Sequence, residues 1–390
     1  MYFRKYYFIV LFSLFFFAFA PPAESKEKPW KKELRSLVKS AKAPEWMQQQ
    51  IQEDLAPFTV GAGIKSKELD KLLKEQESLG NPLELIKISI RGGRVSVFSS
   101  TNNPRVSYVK DGLKRLAKIS SLPDVDFLIS MSDGIDNESI AKHLISSKKS
   151  GIKGRKKIAV PLFSFAKQKG AANGVVLIPD FEALVGSWGL EEGIAEANKN
   201  YPWDQKGESA VWRGPTKGDS NNVEDFLDTP RSTAVLFSLE YPELIDARFS
   251  SISKSESSEA IKEQYADFFG EFLPVTSHLE HKYQLLIDGK TSAFSRAYWQ
   301  LFSNSLILKT DSDHVQWYYR ELKPFTHYIP LDSDLENLLD MIDWAKENDA
   351  EAEKIANQAT DFAKENLSYA RVLQYMDLLI KEYAKHYRML

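Results

Sequence analysis

Residues 281–309 constrain the fold more than any other stretch of this chain. Residues 281–288 read as an apolar strand, 289–295 as a loop of small residues, 296–303 as an amphipathic helix and 305–309 as the next strand. That is a βαβ unit, and it commits the surrounding chain to an α/β layer architecture. The same rhythm comes earlier, with a strand at 209–212 before Arg213 and Gly214, a helix over 231–239 and a strand over 244–248. In the first half, residues 85–97 alternate apolar positions around Gly92 and Gly93, which predicts a hairpin. A helix is expected over 108–119, and short buried strands over 125–131 and 157–165, the first ending in Ser132, Asp133 and Gly134. A polar stretch, 167–174, and a helical one, 190–198, lead to Tyr201, Pro202 and Trp203, the expected hinge. Helical spacing over 334–345 and 350–390 closes the chain, and no fixed-period repeat suggests a solenoid or propeller.

With 390 residues the chain has room for two to three domains at roughly 150 residues each. It contains no cysteine, which removes disulfides, thiolate nucleophiles and zinc-thiolate sites together. Lysine and arginine number 51 against 54 acidic residues, so no overall field points to nucleic acid, and any basic site must be local.

Arg4 and Lys5 precede an almost uninterrupted apolar run, residues 6–20, that ends in Ala18, Phe19, Ala20 and Pro21. The run has the length of a signal-peptide core and is short of the roughly 20 residues that span a bilayer, which favours export over a retained anchor. Either puts the protein outside the cytoplasm or against a membrane. Lys26, Lys28, Lys31, Lys32 and Arg35 follow, a cluster that hinders translocation or sits on anionic headgroups.

The loop of Gly, Thr, Ser and Ala before residue 296 lets backbone N–H groups approach a phosphate at a helix N-terminus. It is not a P-loop, because Gln284 stands where that motif needs glycine. Arg296 at the start of the helix opposes the helix dipole unless an anion binds; the competing reading is a solvent-facing arginine. Arg213 with Gly214, and Arg231, are further cations at strand ends or helix starts that could gather around a diphosphate, or else form ordinary surface ion pairs. Asp133, in a turn after a strand, lies where open α/β sheets place ligand-contacting groups, and Asp136 is the alternative carboxylate. The triplets Asp311-Ser312-Asp313 and Asp332-Ser333-Asp334 are expected to be turns and caps rather than a metal site. The six histidines contain no His-x-x-x-His pair. Trp317, Tyr318, Tyr319, His327 and Tyr328 read as core and rim packing.

Taken together, Trp212-Arg213-Gly214, residues 244–249, His281-Lys282-Tyr283 before Asp288-Gly289, Ser303-Asn304-Ser305-Leu306, Trp317-Tyr318, Leu322-Lys323-Pro324 and His327-Tyr328-Ile329-Pro330 resemble glycosyltransferase family 90. Residues 51–58, 122–124, 132–133 and 160–165 extend the resemblance to about 45–385. It implies a GT-B-like architecture, two Rossmann-like domains facing across a cleft, followed by C-terminal helices. The corresponding division is a signal peptide or anchor over 1–25, an acceptor-side domain over 26–204, a donor-binding domain over 205–360 and C-terminal helices over 361–390. The implied activity is inverting, metal-independent transfer of glucose or xylose from a UDP-sugar to a hydroxyl of a protein, lipopolysaccharide or other glycan, without a cofactor. By resemblance Asp133 is the general base, and Arg231 with Thr291, Ser292, Ala293, Phe294, Ser295 and Arg296 bind the donor, with Arg213 and Gly214 nearby. The 289–296 loop departs from the animal enzymes by one extra residue, and Pro215 stands where they have serine.

The chemistry such a site needs follows from charge. A neutral hydroxyl is a poor nucleophile, so a carboxylate within about 3 Å must take its proton. The departing diphosphate gains negative charge that guanidiniums and a helix N-terminus can meet without a metal. The rival readings are a sugar-nucleotide-binding protein without turnover, and a glycoside hydrolase, for which Asp133 and Asp136 show no separation across a sugar ring.

Overall fold

A computed structural model of the protein describes residues 28–40, 42–59, 63–139, 160–170, 174–186, 190–216, 223, 225–253 and 257–389. The apolar run at 6–20 lies outside these residues. Among the described residues no helix is long and apolar enough to cross a membrane.

Two five-stranded sheets organise the chain. The N-terminal sheet contains β1 (Leu85–Arg91), β2 (Arg94–Ser99), β3 (Val125–Ser130), β4 (Leu162–Ser164) and β5 (Val175–Leu177), in the order β2-β1-β3-β4-β5. The hairpin forms where the sequence places it. Gly92 and Gly93 both have positive φ, 53° and 75°, the backbone that a two-residue turn between twisted strands requires. Strand β1 pairs antiparallel with β3, while β3, β4 and β5 run parallel. This half is therefore a mixed sheet with a parallel core. Every residue of β3 is buried; the helix Ser66–Ser78 packs on it, helix α2 (Arg105–Ala117) packs on the neighbouring strand β2, and helix α1 (Pro29–Ser40) packs on the C-terminal helix Tyr369–His386.

The C-terminal sheet is wholly parallel: β6 (Gly207–Pro215), β7 (Ile245–Ser251), β8 (His281–Leu286), β9 (Leu306–Thr310) and β10 (Ile329–Leu331), in the order β10-β9-β8-β6-β7. The chain leaves β6 for β7 on one side and then crosses back to β8 on the other. The order reverses between β6 and β8, the position at which open α/β sheets leave a crevice for ligands. Helix α3 (Pro230–Glu240), capped by Thr229, follows β6, and helix α4 (Phe294–Leu301) follows β8.

Helix α5 (Asp349–Asn366) packs on β9, whereas helix α6 (Tyr369–His386) returns to the first half. The Tyr383 hydroxyl donates to the Asp126 carbonyl at the foot of β3, and its ring meets Phe127 and Phe163 edge-on. Trp317 and Tyr318 are each about 1% exposed, and Trp317 lies between Trp46 and Tyr375. These aromatics pack the core, as their sequence context suggests.

Candidate functional site

The C-terminal ends of the two sheets meet across a cleft, and direct contacts join its walls. The Thr291 hydroxyl, in the loop after β8, donates to the Asp133 carbonyl at 3.0 Å. A Cβ on Gly134 would lie 3.1 Å from the Thr291 methyl, so the turn after β3 and the loop after β8 are in van der Waals contact. A short antiparallel ribbon, Lys167–Gln168 with His314–Val315, ties the halves together beside them. Phe294 at the start of α4 meets Phe165 and Phe181 from the other half, with ring centroids 6.1 and 6.4 Å apart.

On the C-terminal wall, two arginines from different helices converge on the switch point. Arg231, one residue into α3, donates to the Pro215 carbonyl at the end of β6 at 2.8 Å and approaches the Ile287 carbonyl after β8 at 3.5 Å. Arg296, in the first turn of α4, donates to the Arg213 carbonyl on β6. Both guanidiniums lie over the ring of the buried Trp212, 5.6 and 5.8 Å from its centroid. Burial pushes the Arg231 guanidinium down to about 10, against the pull of Asp288. Burial pushes Arg296 down to about 9, and the like charge of Arg231 pushes in the same direction. In both cases burial is the larger cause, and no carboxylate accepts a hydrogen bond from either guanidinium among the described residues. Arg231 Nε, Arg296 Nη1, Ser292 Oγ and Asp288 Oδ2 are all buried and have no hydrogen-bond partner among the described residues. Native interiors rarely leave such atoms unpaired, and a polar ligand would satisfy several of these together.

The loop between β8 and α4 follows the same plan. Asp288 accepts from the Ala293 N–H at 2.9 Å, and the Gly289 N–H donates to the Thr291 carbonyl, which folds the loop back on itself. A Cβ on Gly289 would lie 2.7 Å from Arg231 Nη2, so only glycine lets that guanidinium approach. Helix α4 has no side-chain cap from its own N-cap residue and no acid in its first turn, and Ser295 and Arg296 stand at its positive end. Gly214 serves packing, since a Cβ there would lie 2.6 Å from the Trp212 ring.

The structure separates Arg213 from the other two arginines. Its guanidinium holds both carboxylate oxygens of Asp246 at 2.8 and 2.9 Å, stapling β6 to β7, and only its carbonyl reaches Arg296.

On the N-terminal wall Asp133 follows β3. One carboxylate oxygen pairs with Arg105 Nη2 at 2.5 Å, and the other has no hydrogen-bond partner among the described residues. Arg105 also donates to the Met131 carbonyl at 2.8 Å, and its guanidinium lies 4.8 Å from the Phe181 ring centroid. The carboxylate is therefore fixed at the cleft with one oxygen able to accept from an incoming hydroxyl. Asp136 has another task. Against the upward push of burial, hydrogen bonds from Ser139 hold its carboxyl below the usual range, and it caps the short turn that follows. Asp180, two residues past Ile178 in the strand-end segment after β5, caps the helix Phe181–Val185, and burial raises its carboxyl to about 6.

Among the described residues no three His, Cys, Asp or Glu side chains form a group that could hold a metal ion. The triplet at 311–313 lies in the short connection after β9, with Asp311 accepting from the Ser312 N–H and pairing with Lys169. In the triplet at 332–334, Asp334 accepts from the Glu336 N–H.

Arg105, Trp212, Asp288 and Phe181 belong to the site and were not singled out as functional from the sequence. Arg105 carries the signal that flags Arg296, a cation in the first turn of a helix. Asp288 stands at a strand end directly before a loop glycine. Trp212 ends an expected strand and is fully buried.

The description Glycosyl transferase family 90 matches residues 38–389. Protein O-glucosyltransferase 1 from Homo sapiens is 24% identical over 347 residues, covering 86% of this chain and 79% of the human one. Protein O-glucosyltransferase 3 from Rattus norvegicus is 27% identical over 281 residues, covering 70% of this chain and 49% of its own. Among solved structures, a glycosyltransferase from Rickettsia africae aligns at 10% identity with a TM-score of 0.34, covering 58% of this chain and 64% of that one.

Proposed function

The chain belongs to glycosyl transferase family 90 and is a glycosyltransferase, and from that premise we propose that it transfers glucose or xylose from a UDP-sugar, with inversion and without a metal, to an acceptor hydroxyl. The observation that supports this reading is the convergence of Arg231 and Arg296 at the β6/β8 switch point, joined through Thr291 to the turn that carries Asp133. The two guanidiniums and the N-terminus of α4 meet the charge that develops on the leaving diphosphate. In a crevice shielded from bulk water each such contact stabilises more than it would on a surface. Asp133 accepts the proton of the acceptor hydroxyl while Arg105 holds the carboxylate in position. The acceptor is a hydroxyl of a protein, of lipopolysaccharide or of another glycan, and residues 6–20 direct the protein to or across a membrane.

The test is transfer from radiolabelled UDP-glucose and UDP-xylose to candidate acceptors, comparing wild type with Asp133→Asn, alongside UDP-induced thermal stabilisation. The variant is expected to lose about 10²- to 10⁴-fold in kcat while keeping its UDP response. Undiminished transfer by Asp133→Asn removes that residue from the role of base, and absence of any UDP response removes the donor assignment.

A further inference from the structure

Away from the cleft, a second cationic site is assembled from parts of the chain that are distant in sequence. A cavity of about 350 Å³ is lined by Lys28, Trp30, Lys31, Arg35, Arg115, Lys118 and Ile119, with no carboxylate among its described walls. Trp30 fixes the first turn of α1 by meeting Tyr369 edge-on at 4.7 Å, which brings Lys28 and Lys31 against the C-terminal end of α2. Lys28, Lys31 and Lys118 make no ion pair among the described residues. Among the described residues Arg115 donates only to neutral oxygens, the Val185 carbonyl at 2.6 Å and the Tyr369 hydroxyl at 3.3 Å. The whole chain has a formal charge of -3, so five cations around one pocket are a strong local departure.

We propose that this pocket seats the phosphate of an anionic phospholipid headgroup and holds the folded part of the protein against a membrane. Charge complementarity selects the ligand, a phosphodiester with which Lys28, Lys31 and Lys118 can pair. Position selects the source: residues 6–20, an almost uninterrupted apolar run, end eight residues before Lys28 at the rim. The pocket lies at the far end of α2 from Arg105. Thirteen residues at about 1.5 Å each put roughly 20 Å between the headgroup and the cleft, so membrane contact leaves the cleft open. The basic cluster before residue 36 is visible in the sequence; its completion by Lys118 and Arg115, 80 or more residues later, is a product of the fold.

The experiment is flotation of the full chain with phosphatidylcholine vesicles and with vesicles containing phosphatidylglycerol. The apolar segment contributes to both, so the ratio of the two partition coefficients isolates the charge-dependent part. The triple variant Lys28→Gln/Lys31→Gln/Lys118→Gln is expected to reduce that ratio by about tenfold or more, at roughly the strength of one basic residue per contact with an anionic surface. A control triple of exposed lysines elsewhere, Lys74→Gln/Lys346→Gln/Lys364→Gln, is expected to leave it near wild type. An unchanged ratio in the pocket variant overturns the proposal, as does an equal loss in the control. Displacement from the anionic vesicles by millimolar inorganic phosphate, with a phosphate-induced thermal shift that the pocket variant lacks, would assign the pocket to a free anion and overturn the lipid assignment.

Discussion

Arg296 costs the unliganded fold something. Its guanidinium is drawn out of water beside Arg231, with a backbone carbonyl as its hydrogen-bond acceptor and Nη1 unpaired. Removing a buried charge that lacks a carboxylate relieves desolvation, whereas removing one that meets a ligand's charge forfeits transition-state stabilisation. Arg296→Gln should therefore leave the unliganded Tm unchanged or raise it, abolish most of the UDP-induced Tm shift, and lower kcat/KM by about 100-fold, near 3 kcal/mol. A variant that loses several degrees of Tm and keeps its UDP response would make Arg296 structural. At this scale the sequence shows anomalies but not partners. Arg296 stands out because a cation in a first helical turn is unfavourable alone. Arg105 carries the same mark, but the Asp133 that explains it is 28 residues away and only the fold brings them together. Arg213 looks like its neighbours in sequence and is distinguished from them by Asp246 on the adjacent strand.

The element that matters most is the β8–loop–α4 unit, and much of it is legible because its signals are local. Apolar strand residues, a run of small residues and helical spacing identify it without tertiary information. The helix begins at Phe294, two residues before its expected start, because Phe294 packs on Phe165 and Phe181 across the cleft, a contact that no local pattern encodes. Gly289 is where this element sets the site. The atom that an added Cβ would meet is the tip of the Arg231 side chain, which can move aside at little cost in stability. Moving aside takes the guanidinium out of its position between β6 and β8. Gly289→Ala is expected to keep the wild-type Tm within about 2 °C while raising the KM for the donor at least about tenfold, since small misplacements of binding groups are expensive in catalysis. Titration of UDP binding checks it; unchanged affinity would mean that Arg231 has a second position of equal value.

At the scale of the whole molecule, the sequence reveals two α/β halves but not how the last helix is shared. Its charged outer face suits any surface, and the buried Tyr375 and Tyr383 that seat α6 on the first sheet pair with residues about 200 or more positions earlier. The acid response of the assembled molecule is likewise a joint property. His278, in the second half, is buried against Trp299, and burial lowers its imidazole to about 4 from an unfolded value near 6.5. The unfolded chain then binds the extra proton between those limits, so this group's contribution to stability is lost as pH falls through that window, up to about 3 kcal/mol. Asp180, in the first half, has the opposite sign. Its carboxyl is raised to about 6, so the folded state binds the proton first and gains stability as pH falls toward the unfolded value near 3.8, by a similar amount. Between about pH 6.5 and 4 the two nearly cancel. Asp180→Asn keeps a good helix cap and should expose the fall due to His278, giving a Tm that drops more steeply with acid than wild type. His278→Gln keeps a donor for the Pro274 carbonyl and should shift the slope the other way, and the double variant should return close to the wild-type slope. Thermal melts of all four proteins across that window decide it: parallel profiles would mean that neither group changes its protonation on folding.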